Sequence, residues 1–149
     1  MRLTLTVLAT LALGTTLVAA GFTGTWKLNL EKSKIHGNNF ASSTMMISQT
    51  GPNTYAHIVD NVTKSGGREH QEFTRVYDGK EHPRTGVGLR QEGATEIAEQ
   101  INATTLKVTQ KKDGTVLAEI TSTLSPDGKV ITNRRTNGKT EEVFVFERQ

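Results

Sequence analysis

The sequence predicts an all-β protein, an antiparallel up-and-down β-barrel of about eight or nine strands. Three observations carry this prediction. Apolar and polar side chains alternate over several short segments, turn sequences recur about 10 to 15 residues apart, and no segment keeps a helical period long enough for the crossovers that parallel strands require. The chain of 149 residues has room for one such domain, and an open two-sheet sandwich is the alternative architecture.

Residues 1–20 predict a secretory signal peptide that is cleaved after Ala20. A positive charge at the start is followed by an apolar run from Leu3 to Leu13 and then by small residues. An uncleaved anchor is the alternative, but threonines interrupt a span that is shorter than the roughly 20 apolar residues of a membrane helix. We therefore expect a single domain over 21–149, a secreted or periplasmic location, and no stable membrane insertion after cleavage.

The strands follow from alternation with a period of two, which turns one face of each strand toward the core. The first is predicted from Phe22 to Glu31, and an irregular loop from Leu30 to Ser42. Further strands are predicted, in chain order, at Glu92 to Ile101, Leu106 to Lys111, Val116 to Thr121 and Val143 to Phe146. Glu92 to Ile101 is also the strongest helix candidate, but its β-branched residues favour a strand. Val143 to Phe146 is apolar on both faces, so we expect it to pair centrally.

The turns are marked by residues that tolerate positive φ, as tight hairpins require. Glycine occurs in all of them. They are Gly51-Pro52-Asn53, Ser65-Gly66-Gly67, Asp78-Gly79, Asp113-Gly114, Asp127-Gly128 and Asn137-Gly138. This spacing favours a meander of antiparallel strands.

Composition excludes several classes of function. The absence of cysteine excludes disulfides, cysteine metal sites and a thiol nucleophile. The formal charge of +3 is spread over interspersed charges and aromatic residues make up 5%, so we predict no nucleic-acid partner. Asn61 and Asn102 begin glycosylation sequons whose use depends on the host.

No enzymatic site is predicted. The four histidines lack metal-ligand spacing, the serines lack a Gly-x-Ser-x-Gly setting, and the nearest carboxylate pairs point to opposite faces of a strand. We therefore predict no catalytic residue, no metal and no cofactor. A carboxylate pair assembled from distant strands stays open.

Four residues are candidates for contact with a ligand inside the barrel: Met46, Tyr55, His57 and Arg134. Methionine adapts to varied ligand shapes, although ordinary core filling is the favoured explanation of Met45-Met46-Ile47. One arginine of the Arg134-Arg135 doublet must face inward. If it is Arg134, it needs a partner or a bound anion, and an outward Arg134 is the alternative.

Gly24-Thr25-Trp26, at the start of the first strand, resembles the Gly-x-Trp signature of the calycin superfamily, which includes lipocalins, cellular fatty-acid-binding proteins and avidins. The resemblance implies a barrel in which Trp26 plugs one end. It also implies that a basic residue late in the chain, best matched by Arg148, packs over the tryptophan ring.

A second set of motifs is similar to small secreted bacterial lipocalin-like proteins, for which no activity is implied. Tyr77-Asp78-Gly79-Lys80, Pro83 and Gly86 match their central motif. The chain departs from fatty-acid-binding proteins, because Leu30 to Ser42 is too short for their two-helix lid. Their carboxylate-binding arginine and tyrosine fall on Phe144 and Phe146.

Two functions follow as hypotheses. The first is a secreted barrel that binds a small apolar or weakly acidic ligand, because the apolar residues are too few to pack a barrel of this size solidly. The second is a non-enzymatic structural or interaction module of the envelope or extracellular space, whose barrel is filled and whose outer face meets a protein or glycan. No protein partner is identified by the sequence.

Overall fold

The computed structural model describes residues 20–37, 39–89 and 91–149, so the predicted signal peptide lies outside the described residues except for Ala20. These residues form a short 3₁₀ turn at Ala20–Phe22 and one antiparallel sheet of eleven strands. The strands are β1 (Gly24–Leu28), β2 (Phe40–Gly51), β3 (Thr54–Thr63), β4 (Arg68–Val76), β5 (Glu81–Pro83), β6 (Gly86–Val87), β7 (Thr95–Asn102), β8 (Thr105–Lys112), β9 (Thr115–Leu124), β10 (Val130–Thr136) and β11 (Glu141–Arg148). No helix in this part of the chain is long and apolar enough to cross a membrane.

The sheet confirms the predicted antiparallel up-and-down barrel. Its strand order is β5-β7-β8-β9-β10-β11-β1-β2-β3-β4-β6, so the last strand pairs with the first and one curved sheet forms instead of two. The central position predicted for Val143 to Phe146 is confirmed, because β11 pairs with both β10 and β1. The segment from Glu92 to Ile101 contributes strand β7, as predicted. The strand count is higher than predicted because β5 and β6, of three and two residues, carry too short a pattern to be recognised.

Two boundaries differ from the prediction at the start of the barrel. β1 begins at Gly24 because Phe22 lies in the 3₁₀ turn, where its carbonyl accepts a hydrogen bond from the Trp26 indole at 2.9 Å. The irregular loop is confirmed but ends sooner than predicted, because β2 already begins at Phe40. A bridge from Lys34 to Val143 holds this loop against β11.

The ladder is not continuous around the barrel. Among the described residues, no backbone pairing joins β4 to β7, which leaves a seam between these two strands. Residues 81–88, which we call the strap, cross the seam. β5 pairs with β7 and β6 pairs with β4, so each edge of the seam holds one end of the strap. Gly88 follows β6 at φ +70°, where a Cβ would collide with the His70 carbonyl, so this close approach requires glycine.

The core fills the closed end of the barrel. Its largest fully buried side chains are Trp26, Tyr55, Phe22, Ile131 and Val108. Phe40 and Glu142, at the start of β2 and β11, lie at the opposite end, together with the irregular loop. We call this end the mouth of the barrel. The packed core and the open part of the interior therefore lie at opposite ends of the barrel.

Candidate functional site

Trp26 and Arg148 seal the closed end of the barrel. Trp26 is 0% exposed, and the Arg148 guanidinium lies 4.1 Å from the centroid of its ring. The same guanidinium donates hydrogen bonds to the carbonyls of Thr23, Gly128 and Gly21 at 2.6 to 2.8 Å. Glycine suits position 24, because its φ of +127° is one that L side chains rarely adopt, and a Cβ would also lie 2.6 Å from Nη1 of Arg148. Arg148 thus joins β11 to the segment before β1 and to the turn between β9 and β10.

Two adjoining cavities occupy the rest of the interior. The mouth cavity has a volume of about 510 Å³ and is bordered by the irregular loop and the segment that follows the strap. The inner cavity has a volume of about 210 Å³ and reaches down to Met45, Ile47 and Ile131. Gln71, Arg84 and Gln110 line both cavities, so the two cavities adjoin at these side chains.

A buried ion cluster closes the seam beside the inner cavity. Arg75 on β4 donates two hydrogen bonds to Glu96 on β7, at 2.9 and 3.1 Å, and Arg84 of the strap lies 3.2 Å from the same carboxylate. Burial opposes the charge on Arg75, but Tyr77 and Glu96 outweigh it and raise the pKa of Arg75 above its ordinary value. Burial lowers the pKa of Arg84, while Glu96 opposes that shift. Two guanidinium groups therefore share one carboxylate.

His57 is one of the polar residues that line the inner cavity. Its ring stacks on Phe73 with centroids 4.9 Å apart and planes 4° from parallel, and Arg75 lies over the same phenylalanine at 5.1 Å. Burial, and secondarily the charge of Arg75, hold the pKa of His57 well below its usual value, so the imidazole is neutral at pH 7.

Three buried side-chain atoms have no hydrogen-bond partner in the described part of the chain. They are the Tyr55 hydroxyl, Nε2 of His57 and Oδ1 of Asn133. His57 and Asn133 line the inner cavity, on β3 and β10. Tyr55 lines neither cavity. Buried polar atoms are rarely left unpaired, so the atoms of His57 and Asn133 mark where a ligand or water would supply a partner.

The structure separates the four predicted ligand contacts into two groups. Tyr55 and His57 face the interior and are buried, at 0% and 4% exposure. Met46 lies on the outer face of β2 and is 43% exposed, so the expectation that it lines a cavity is wrong. Its neighbours Met45 and Ile47 take the inward positions, because successive side chains of a strand point to opposite faces.

The expectation that Arg134 faces the interior is also wrong. Its side chain is 59% exposed and bonds Glu141 at 3.0 Å on the outer surface. Ile131 is buried, and alternation along β10 then places Asn133 and Arg135 on the same inner face. Arg135 borders the mouth cavity and bonds Glu142 at 3.2 Å.

Sequence reasoning missed the seam cluster and Asn133. Arg75 lies on the same strand face as Phe73 and Tyr77, because these residues are two positions apart. Gln110 shares a face with Leu106 and Val108 in the same way, so each pattern indicates one inward polar side chain. The pairing of Arg75 with Glu96 had no such signal, because its two strands are joined only through the folded strap. In the described residues, no group of three or more histidine, aspartate or glutamate side chains is placed to hold a metal ion.

Comparison with known proteins identifies the fold. No family model and no curated protein matches the chain. A crystal structure of the fluorescent protein UnaG superposes with a TM-score of 0.66 over 89% of this chain and 100% of that chain, at 18% identity. A fatty-acid-binding protein of Schistosoma mansoni, in complex with arachidonic acid, superposes with a TM-score of 0.65 over 87% of this chain and 97% of that chain, at 16% identity. The chain therefore shares the antiparallel β-barrel fold of these two proteins, the fold that Gly24 and Trp26 predicted.

Proposed function

We propose that this protein binds a small, largely apolar ligand inside its barrel and takes it up through the mouth. The observation that carries the proposal is the pair of adjoining cavities, one of about 510 Å³ at the mouth and one of about 210 Å³ further in. The mouth cavity has a volume typical of small-molecule sites, which often lie in the mouths of barrels. The likeness to a fatty-acid-binding protein that was solved with arachidonic acid supports the same proposal.

A weakly acidic ligand suits the mouth better than a neutral one. The preference comes from Arg84. Arg84 and Arg135 border this cavity together with Glu69 and Glu142, and Arg135 is already paired with Glu142 at 3.2 Å. Arg75 and Arg84 are both paired with Glu96, so these two arginines carry one more positive charge than the single carboxylate neutralises. A guanidinium has five N–H donors, which leaves Arg84 donors for an acidic group of the ligand.

Binding without catalysis is the activity that these side chains support. The carboxylate of Glu96 is held by two arginines, so it is committed to the ion cluster at the seam. The alternative of an interaction module with a filled barrel has less support, because the interior holds open volume.

Native mass spectrometry and displacement of the dye 1-anilinonaphthalene-8-sulfonate by dodecanoic acid test the proposal. Gln71 lines both cavities, so Gln71→Trp should block their junction and weaken dye binding at least about tenfold. Gln49→Trp, on the exposed part of β2, is the matched control and should bind as the wild type does. A wild-type protein that takes up neither dye nor acid would refute the proposal, as would unchanged binding by Gln71→Trp.

We also propose that the protein acts outside the cytoplasm, as a secreted or periplasmic protein. The support is the sequence pattern of residues 1–20. Mass spectrometry of the exported protein should find Gly21 at its N-terminus. A mature chain that starts at Met1 would contradict cleavage.

A further inference from the structure

The inner cavity carries a set of uncharged hydrogen-bonding side chains among its apolar walls. Met45, Ile47 and Ile131 are among the apolar residues, as expected for a site that receives a hydrocarbon. The uncharged polar side chains at the same cavity are His57, Gln71, Gln110, Ser122 and Asn133. Arg75 and Arg84 also line it, and both are paired with Glu96 across the seam. A cavity that served only a saturated chain would need none of them, because a buried polar group costs free energy unless it is bonded.

Two of these side chains present an atom that the protein itself leaves unpaired. Nε2 of His57 and Oδ1 of Asn133 are buried and have no hydrogen-bond partner among the described residues. The whole His57 side chain is only 4% exposed, so bulk water does not supply the missing bond. The two atoms come from β3 and β10, which three strands separate in the sheet, so they mark different walls of the cavity.

The orientation of His57 is fixed by packing. The imidazole ring lies flat against the ring of Phe73, and the guanidinium of Arg75 lies over the Phe73 ring as well. Burial and the nearby Arg75 hold the pKa of His57 far below its usual value, so the ring offers one N–H donor and one acceptor but no charge. Since Asn133 offers only its amide acceptor, both unpaired atoms suit a neutral partner.

We propose that the inner cavity is a subsite for an uncharged hydroxyl group at the buried end of the ligand, held by Nε2 of His57 or Oδ1 of Asn133. A hydroxyl both donates and accepts, so it satisfies either atom. This inference rests on the proposed function and refines its ligand class: an apolar molecule with an acidic group at the mouth and a hydroxyl group at depth.

A matched pair of ligands tests the subsite. Dodecanoic acid and 12-hydroxydodecanoic acid differ only in the terminal hydroxyl, and calorimetry or dye displacement gives both dissociation constants. We expect the wild type to bind the hydroxy acid about tenfold more tightly, the effect of one well-made hydrogen bond in a buried site. His57→Phe keeps the ring stacked on Phe73 and Asn133→Leu keeps the side-chain volume, and each should reduce or reverse the preference.

His70→Phe is the control variant, because His70 lies on the outer face of β4 and should leave the preference unchanged. A second measurement does not depend on a variant that folds: the ring ¹⁵N resonance of His57 Nε2 should shift with the hydroxy acid more than with dodecanoic acid.

The outcomes separate the inference from the function on which it rests. If the wild type binds both acids equally, or prefers dodecanoic acid, and His57→Phe changes nothing, buried water satisfies the two atoms and the subsite is refuted. The proposed function then stands. If the wild type binds neither acid nor the dye, both proposals fail.

Discussion

Replacement of Arg148 by methionine should destabilise the barrel by about 3 kcal/mol. The variant keeps the alkyl stem but removes the guanidinium, which lies 4.1 Å from the Trp26 ring and bonds three carbonyls. The carbonyls of Thr23 and Gly128 are in partly buried contacts, and the loss of each bond costs about 1 kcal/mol. Loss of the cation–π contact adds about 1 kcal/mol. The exposed bond to Gly21 adds little, because water replaces it.

Arg134→Met is the matched control. Both side chains of the pair Arg134–Glu141 are 59% exposed, so this change should cost less than about 0.5 kcal/mol. Urea unfolding, followed by circular dichroism and by fluorescence of the single tryptophan, gives the free energy of unfolding of each variant. The expected loss for Arg148→Met corresponds to a fall in Tm of about 5 to 10 °C. Equal effects of the two substitutions would refute the assignment of Arg148 as the cap of Trp26.

Three further predictions concern the seam and the outer face. Glu96→Gln leaves two buried guanidinium groups without a counter-charge and should cost about 3 to 5 kcal/mol in urea unfolding, whereas Glu119→Gln, in an exposed pair with Lys107, should cost less than about 1 kcal/mol. Gly88→Ala should lower Tm far more than Gly79→Ala. Both glycines have a similar positive φ, but only a Cβ at Gly88 meets a backbone carbonyl, so similar shifts would contradict the close approach of the strap. Hydrogen bonds to Asp60 and then Glu72 raise the pKa of His70, so its contribution to stability should be complete below about pH 6.5 and lost as pH rises through the raised pKa. His70→Gln should therefore destabilise the protein more at pH 5.5 than at pH 9, and an equal effect at both pH values would count against this.

The parts of the fold that could be predicted from the sequence are those set by local pattern. Trp26 alternates with polar neighbours in a short segment after the 3₁₀ turn, and its partner Arg148 could be matched through a family resemblance. Val143 to Phe146 showed its central position because both of its faces are apolar. In each case the necessary information lies within one strand.

The seam could not be predicted in this way. β5 and β6 are too short to show a period, and their pairing with β7 and β4 becomes visible only when the chain is folded. Glu96 appears in the sequence as an ordinary strand carboxylate, yet the fold buries it between Arg75 and Arg84. The strap also explains the glycines of Gly86-Val87-Gly88. They allow the strap to lie close to the backbone of β4, and they do not form a phosphate-binding loop.

The sequence leaves the inward face of β10 open, because the polar neighbours of Arg134 and the apolar Ile131 indicate opposite faces. A buried isoleucine fixes the face of a strand more firmly than an arginine does, because the long side chain of arginine can reach water from many positions. Counting from Ile131 gives Asn133 and Arg135 as inward residues, which is what the structure shows. The same count identifies the unpaired amide of the inner cavity.

The sealed end of the barrel and the closed seam determine how a ligand would reach the interior. Arg148 fixes the closed end over Trp26, and the ion cluster of Arg75 and Glu96 spans the seam beneath the strap. Opening either would separate buried charges or hydrogen bonds, at a cost of several kcal/mol, about as much as the binding free energy of a millimolar ligand. The mouth is open without any such change, so a ligand should enter there with its uncharged end first. The end that reaches His57 and Asn133 has then lost its water, and a hydroxyl at that end would regain hydrogen bonds that a methyl group cannot make.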